Sequence, residues 1–217
     1  MRTQGAVLAL ELSTPRGSVA VVAADGLRYE AEFESERSHN ACLFAPLQEA
    51  LEAAGEELAL VLVGTGPGSY TGVRIAIAAA QGVGLAREVP VAGMSSLLGS
   101  LPLEDDAAGV AVVIGDARRG QLYRADLENG GVVEPIRLFP RADWEAEQAA
   151  LPVGAEMWSC DGKPPLPGWE DRLRVPRARW LAQRALAMGV GAYADDPELE
   201  PWYLQEAFIT QATRNRF

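Results

Sequence analysis

A glycine-rich turn between an apolar strand and a long apolar helix constrains the fold of this chain more than any other feature. The apolar run at residues 60–63 is typical of a buried strand, and it leads into Gly64-Thr-Gly-Pro-Gly68. A helix is predicted over residues 70–87, with Ser69 or Thr71 as its cap. Glycines allow positive φ and close backbone approach, so this stretch predicts a tight strand–turn–helix connection.

The residues of this turn allow two interpretations. Strand–turn–helix connections often bind phosphate, because the first N–H groups of a helix have no partner within it. This turn lacks the Gly-Lys-Ser or Gly-Lys-Thr of a P-loop, and Ser69 or Thr71 stands where a G-x-G-x-x-G motif needs its last glycine. A connection that binds no ligand is therefore an equally good interpretation.

The predicted helix is apolar on almost every face. Beyond the capping turn, its only polar side chains are Arg74, Gln81 and Arg87. A chain of 217 residues can hardly cover all sides of such a helix, so part of it is expected to contact a partner subunit. Arg74 and Gln81 interrupt the apolar run well short of a membrane span, so no membrane association is expected.

The pattern around this segment predicts a mixed sheet flanked by helices. Asp25-Gly26 joins two apolar runs and is a strong hairpin signal. An α/β fold follows from the order of the elements in the first half. Strands are predicted over residues 6–10, 18–24, 27–33, 60–63 and 89–93, and helices over residues 41–54, 70–87 and 94–101.

The second half of the chain repeats the beginning of the first. In each half an apolar strand ends in an acidic residue, Glu11 or Asp116, and an Arg-Gly turn and a returning strand follow. This repeat predicts two lobes built on one plan: an N-terminal lobe, residues 1–104, and a smaller C-terminal lobe, residues 105–217, whose tail could return to the first lobe. In the second lobe, strands are predicted over residues 109–114, 121–127 and 132–139, and helices over 143–151 and 178–189.

Charge and composition exclude several classes of function. A net charge of −11 and a pI near 4.6 argue against unaided binding to nucleic acid. The only candidate basic patch is a run of arginines, for which a solvated helix face is the preferred interpretation: Arg172, Arg174, Arg177, Arg179 and Arg184. With two cysteines and one histidine, neither a disulfide framework nor a transition-metal site is expected. Since no signal peptide is recognised at Met1, a cytoplasmic, reduced protein is expected.

Catalytic machinery is not predicted. His39 is the only possible histidine base, and the sequence has no Gly-x-Ser-x-Gly elbow. Glu11 and Asp116 could hold Mg²⁺ and a phosphate between the lobes, and hairpin-turn geometry explains them equally well. The candidate nucleotide-binding residues are Glu11, Ser13, Gly66, Gly68, Ser69 and Asp116; no catalytic residue, bound metal or cofactor is predicted.

Several motifs, taken in order, resemble the TsaB (YeaZ) family over nearly the whole chain. They are Ala9-Leu-Glu-Leu-Ser-Thr14, Gly66-Pro-Gly-Ser-Tyr-Thr-Gly-Val-Arg74, Gln81-Gly82, Asp116-Ala-Arg118 and Pro201-Trp-Tyr-Leu204. The resemblance implies an actin/Hsp70/sugar-kinase-like fold (ribonuclease H-like) of two related lobes. It also implies a role in forming N6-threonylcarbamoyladenosine at position 37 of tRNAs that read ANN codons.

The family resemblance further implies a non-catalytic scaffold. Its expected partners are TsaD, the paralogous transferase, and TsaE, an ATPase; the chain alone would form a homodimer, and tRNA would be met only through the complex. TsaD has a metal-binding His-x-x-x-His pair where this chain has Gly93 and Leu97, which supports the scaffold. The resemblance places the partner interface on the first and second helices, at Arg37, His39, Leu43, Leu47, Arg74, Ala78, Gln81 and Gly82.

Three features depart from the family pattern. Glu11 replaces the usual Asp, which weakens any nucleotide or metal site. Asn40 and Pro46 alter the start of the first helix, and Gln205 replaces a common Arg in the tail. The alternative function is a small-molecule kinase or ATPase of the same two-lobed fold, supported by Glu11, Asp116 and the glycine turn.

Overall fold

The computed structural model describes residues 5–34, 39–103, 110–193, 195–196 and 198–204, without the side chains of residues 39–41. It contains two mixed sheets, each flanked by helices. The predicted lobe boundary at residue 104 lies outside these ranges and stays a prediction.

The first sheet has five strands in the order β3-β2-β1-β4-β5. Its first three strands form an antiparallel meander, in which the Asp25-Gly26 turn places Gly26 at a φ of 119°. β1, β4 and β5 are parallel, and helices make the crossovers. The strands are β1 (Ala6–Glu11), β2 (Arg16–Ala23), β3 (Gly26–Glu34), β4 (Leu58–Gly64) and β5 (Val91–Met94); the crossover helices are α1 (His39–Ala54) and α2 (Tyr70–Arg87).

Both faces of this sheet are buried, which explains why its central strands are continuous apolar runs. Leu8 and Val61 belong to the core beneath α1 and α2. On the opposite face, Val7 and Leu60 pack with helix α4 (Ala178–Met188). A helix from the second half of the sequence therefore completes the first sheet.

The second sheet has four strands in the order β8-β7-β6-β9. Its first three strands are antiparallel and the fourth is parallel to the first, as in the first sheet. The strands are β6 (Ala111–Arg118), β7 (Gln121–Glu128), β8 (Gly131–Pro140) and β9 (Glu156–Trp158), and helix α3 (Trp144–Ala149) follows β8. This repeated strand order confirms the predicted duplicated fold of the actin/Hsp70/sugar-kinase class.

Some predicted elements differ from those observed. The helix predicted over residues 94–101 is a 3₁₀ turn at Ser96–Ser100. The sequence did not predict β9, whose three residues give too short a pattern. Helix α1 begins at His39 and continues through Pro46, so this departure from the family pattern does not break the helix.

The run of arginines is neither a basic patch nor a solvated helix face. Arg174 pairs with Glu156, and Arg177 and Arg179 pair with glutamates of β3. Arg184 is only 4% exposed, and its guanidinium donates to the carbonyls of Leu98 and Leu101. Only Arg172 lies exposed, over the ring of Trp169. The preferred interpretation was therefore wrong for most of this run.

Candidate functional site

The glycine turn and the start of α2 are in direct contact with the backbone that follows β1. The Ser69 N–H donates to the Ser13 carbonyl over 2.6 Å, and the Ser69 hydroxyl accepts from the Gly72 N–H over 3.2 Å. Ser69 is therefore the cap of α2, one of the two caps, Ser69 or Thr71, that the sequence predicted. The N–H groups of Ser69 and Gly72, which could bind a phosphate at the start of the helix, are thus already bonded within the chain.

Two glycines are required by this contact. A Cβ at Gly68 would lie 2.3 Å from the Ser13 carbonyl oxygen, and one at Gly72 would lie 2.1 Å from the Leu12 carbonyl oxygen. The two backbone segments therefore meet without a gap. This contact explains why glycine is needed at both positions without invoking a ligand, and it disfavours phosphate binding by Gly68.

Glu11 lies buried behind this turn. Its Oε1 accepts from the Ser13 N–H over 2.6 Å, and its Oε2 fills the space above Gly64, 1.8 Å from where a Cβ at that position would be. Burial raises the pKa of Glu11. Burial therefore favours the uncharged form of Glu11 while no cation is bound. Among the described residues, no cluster of three or more His, Cys, Asp or Glu side chains could hold a metal ion.

Asp116 lies near the end of β6, in the second sheet. Its carboxylate pairs with Arg118 over 3.6 Å and with Arg141 over 3.4 Å. Its N–H donates to Asp161 Oδ2 over 2.7 Å. Asp161 was not identified from the sequence, because only the fold brings it beside Asp116. Burial raises the pKa of Asp161 to about 6, and the neighbouring Asp116 carboxylate contributes.

Asp161→Asn is expected to remove a destabilisation of the fold that depends on pH. Because the folded-state pKa is raised above 3.8, the fold loses stability as the pH rises from 3.8 through about 6. The stability of the variant relative to the wild type should rise by about 3 kcal/mol in total from a pH well below 3.8 to pH 7. Urea unfolding of both proteins at several pH values measures this difference; a difference independent of pH would contradict the assignment.

Residues 198–204 cross the carboxyl edge of β4 and β5. The Trp202 N–H donates to the Thr65 carbonyl over 2.7 Å. Leu199 packs beside Gly93, where a Cβ would lie 2.5 Å from Leu199 Cδ1. Leu97 is fully buried. Side chains of the chain itself therefore fill the two positions at which the resemblance compares this chain with metal-binding histidines.

An apolar groove of about 750 Å³ lies between α1 and α2, on the face turned away from the first sheet. It combines side chains from one face of each helix. The residues that line it are Phe44, Leu47, Leu51, Tyr70, Thr71, Arg74, Ile75, Ala78, Ala79, Gly82, Val83, Ala86 and Arg87. No described helix is long and apolar enough to cross a membrane.

Large apolar side chains are exposed in and beside this groove. Phe44, which lines it, is 61% exposed, and Leu85 of α2, outside the lining, is 85% exposed. A Cβ added at Gly82 would have no atom within 4 Å, so the helix surface there is open. Exposed apolar patches of this kind are typical of interaction sites.

The predicted interface residues fall into several groups. Arg74, Ala78, Gln81 and Gly82 are exposed on α2. Leu43 was wrongly predicted, because it is fully buried against the first sheet, and Leu47, 6% exposed, forms the groove floor. The side chains of Arg37 and His39 lie outside the described part of the chain, as does Gln205. Sequence reasoning missed Phe44, although its helical spacing from Leu47 and Leu51 was visible.

Comparisons with known proteins agree with this fold. A family model described as "TsaD: tRNA N6-adenosine threonylcarbamoyltransferase" matches residues 33–136. The chain is 37% identical over 198 residues to the tRNA threonylcarbamoyladenosine biosynthesis protein TsaB of Escherichia coli (strain K12), an alignment that covers 78% of this chain and 84% of that protein. It is 29% identical over 145 residues to TsaB of Bacillus subtilis (strain 168), covering 64% and 63% of the two chains.

A solved structure from Pseudomonas aeruginosa, described as an uncharacterized protein with similarity to peptidase YEAZ, has the same fold. Its TM-score is 0.69 at 26% sequence identity, and the superposition covers 93% of this chain and all of that one (100%).

Proposed function

The chain belongs to the TsaB family of tRNA threonylcarbamoyladenosine biosynthesis proteins, and from this we propose that it is the non-catalytic docking subunit of the complex that makes this modification. Its role would be to bind and support the TsaD-like transferase subunit, together with a TsaE-like ATPase. The tRNA would be modified at position 37, in tRNAs that read ANN codons.

The observation that carries this proposal is the exposed apolar groove between α1 and α2. Helix surfaces of this kind gain stability by excluding water with another protein. The lining includes small residues, such as Ala78 and Gly82, which allow a second helix to approach closely. We therefore assign the partner surface to α2 and to the outer side of α1.

The similarity to the TsaD model suggests how the partner fits. Residues 33–136, which match that model, include both helices of the groove. A partner with equivalent helices would meet this chain about a pseudo-twofold axis, as related subunits commonly do. Without that partner, the same surface would join two copies of this chain in a homodimer.

The non-catalytic part of the proposal rests on the carboxyl edge of the first sheet. Leu199 packs beside Gly93, and Glu11 is buried with a raised pKa. Cys160, next to Asp161, is also unsuited to nucleophilic chemistry, because burial raises the pKa of its thiol to about 12. The net charge of −11 disfavours direct binding of tRNA, so tRNA would be met only through the complex, which we place in the cytoplasm.

The rival function, a small-molecule kinase or ATPase, is tested by calorimetry of the isolated chain with ATP and Mg²⁺. We expect no heat of tight binding and no turnover, because the Ser69 hydroxyl and Glu11 Oε1 already accept hydrogen bonds within the chain. ATP hydrolysis, or binding that is lost in Asp116→Asn, would favour the rival. The Asp161→Asn variant, which keeps the Asp116 carboxylate, is the matched control.

A further inference from the structure

One charged side chain of the apolar groove, Arg74, has no carboxylate partner among the described residues. Arg74 is exposed on α2, and its guanidinium lies 4.7 Å from the centre of the Tyr70 ring. No described Asp or Glu lies within 4.0 Å of its nitrogens, although most of the arginines that the structure describes have such a partner. Within the described part of the chain, Arg74 is therefore a positive charge without a carboxylate, available to another molecule.

The C-terminal segment fixes the position of this arginine. Tyr203 packs against Tyr70 with 5.3 Å between the ring centres. The backbone hydrogen bond from Trp202 to Thr65 holds Tyr203 in place. Tyr70, Tyr203 and Arg74 form one cluster, which we call the tyrosine–arginine cluster, at the N-terminal end of α2. An arginine held in this way loses less freedom on binding than a mobile one.

The charges of the groove are of one sign. Of its lining residues, only Arg74 and Arg87 are charged. Arg87 already donates to the carbonyls of Leu51 and Gly55, over 3.4 and 3.5 Å. The groove therefore offers one available cation on an apolar surface, within a protein whose net charge is −11.

We propose that the groove binds an apolar helix face of the partner that carries a carboxylate facing Arg74, with Tyr203 in the same contact. This inference rests on the proposed docking function and adds the chemistry of the partner. An aliphatic helix face would pack against the apolar groove walls. A carboxylate would pair with Arg74, which the complex would otherwise bury as an unpaired cation.

A second copy of the chain matches this groove less well. The same face of another copy presents Arg74 and Arg87 and no acidic groove residue. The homodimer should therefore be weaker than the complex with the acidic partner, because like charges would approach each other.

Titration calorimetry of the TsaD-like subunit into this chain tests the inference, at low and high NaCl concentrations. Arg74→Met keeps the length of the side chain and removes the charge, and should weaken binding about 30-fold or more. Arg74→Lys should restore part of the loss, and Tyr203→Ala should weaken binding in the same direction. Arg172→Met is the matched control, because Arg172 is also exposed over an aromatic ring, outside the groove.

The outcomes separate the inference from the proposed function. A weaker, less salt-sensitive Arg74→Met complex, with Arg172→Met equal to the wild type, supports the inference. Unchanged affinity and salt dependence of Arg74→Met would overturn the acidic-partner inference and leave the docking function intact. A wild-type chain that binds no TsaD-like subunit at either salt concentration would overturn both.

Discussion

Replacing Gly82 with tryptophan should abolish binding of the TsaD-like subunit while the isolated chain stays folded. Gly82 is exposed in α2, lines the groove, and has no atom within 4 Å of the position that a Cβ would occupy. An indole at this position would therefore cost the isolated chain little and would fill the space of the partner helix. We expect affinity to fall by more than about 100-fold, or roughly 3 kcal/mol. Co-purification and calorimetry measure the loss.

Gly191→Trp is the matched control for this substitution. Gly191 is also exposed, also has no atom within 4 Å of an added Cβ, and lies away from the groove. It should leave binding unchanged. If Gly82→Trp and Gly191→Trp bind the partner equally well, the groove is not the docking surface.

Gly72→Ala should unfold the protein more easily, although alanine normally favours a helix. A Cβ at Gly72 would lie 2.1 Å from the backbone carbonyl oxygen of Leu12, which a rotamer change cannot relieve. Separating α2 from the end of β1 would disrupt the core beneath the helix, and we expect a loss of about 3 kcal/mol in the free energy of unfolding. Urea denaturation measures this loss.

The same substitution elsewhere in α2 should have the opposite effect. Gly82→Ala meets no atom, so the higher helix propensity of alanine should stabilise the protein by up to about 1 kcal/mol. A loss of stability in Gly72→Ala and a gain in Gly82→Ala, both in α2, would distinguish a steric requirement for glycine from the effect of helix propensity. Equal stability of Gly72→Ala and the wild type would show that the turn and β1 are not in direct contact.

Local signals in the sequence were sufficient for the first sheet and for α2. Asp25-Gly26 identified its hairpin, because few dipeptides adopt that turn as readily. The bounds of α2 were predicted correctly, because Ser69 caps its start and its apolar run ends at Arg87. The repeat of Glu11 and Asp116 correctly indicated two sheets of related topology.

Long-range contacts could not be predicted in the same way. The spacing of Leu43, Phe44 and Leu47 shows an apolar side of α1, but it does not show that Leu43 faces the sheet and Phe44 the groove. The placement of α4 on the first sheet depends on packing with residues more than a hundred positions earlier. One such contact is the hydrogen bond from the Ala178 N–H to the Ser18 hydroxyl.

The candidate site likewise combines features that local sequence predicts with contacts that it does not. The glycines of the turn were correctly identified as a place of close backbone approach, and the structure shows that the group approached is the backbone after β1. No residue pattern predicts that Leu199 packs beside Gly93, because a single leucine in an extended segment has no periodicity. The tyrosine–arginine cluster likewise joins residues that are more than a hundred positions apart in the sequence.

The central claim, a docking subunit without catalytic activity of its own, is tested most directly by reconstituting the modification of tRNA. The TsaD-like and TsaE-like subunits, threonylcarbamoyl-adenylate and tRNA are combined with the wild-type chain, with Gly82→Trp, or with neither, and modified adenosine is counted. We predict full product with the wild type, little with Gly82→Trp or without the chain, and none with the chain alone. Equal product without the chain, or product from the chain alone, would contradict the claim.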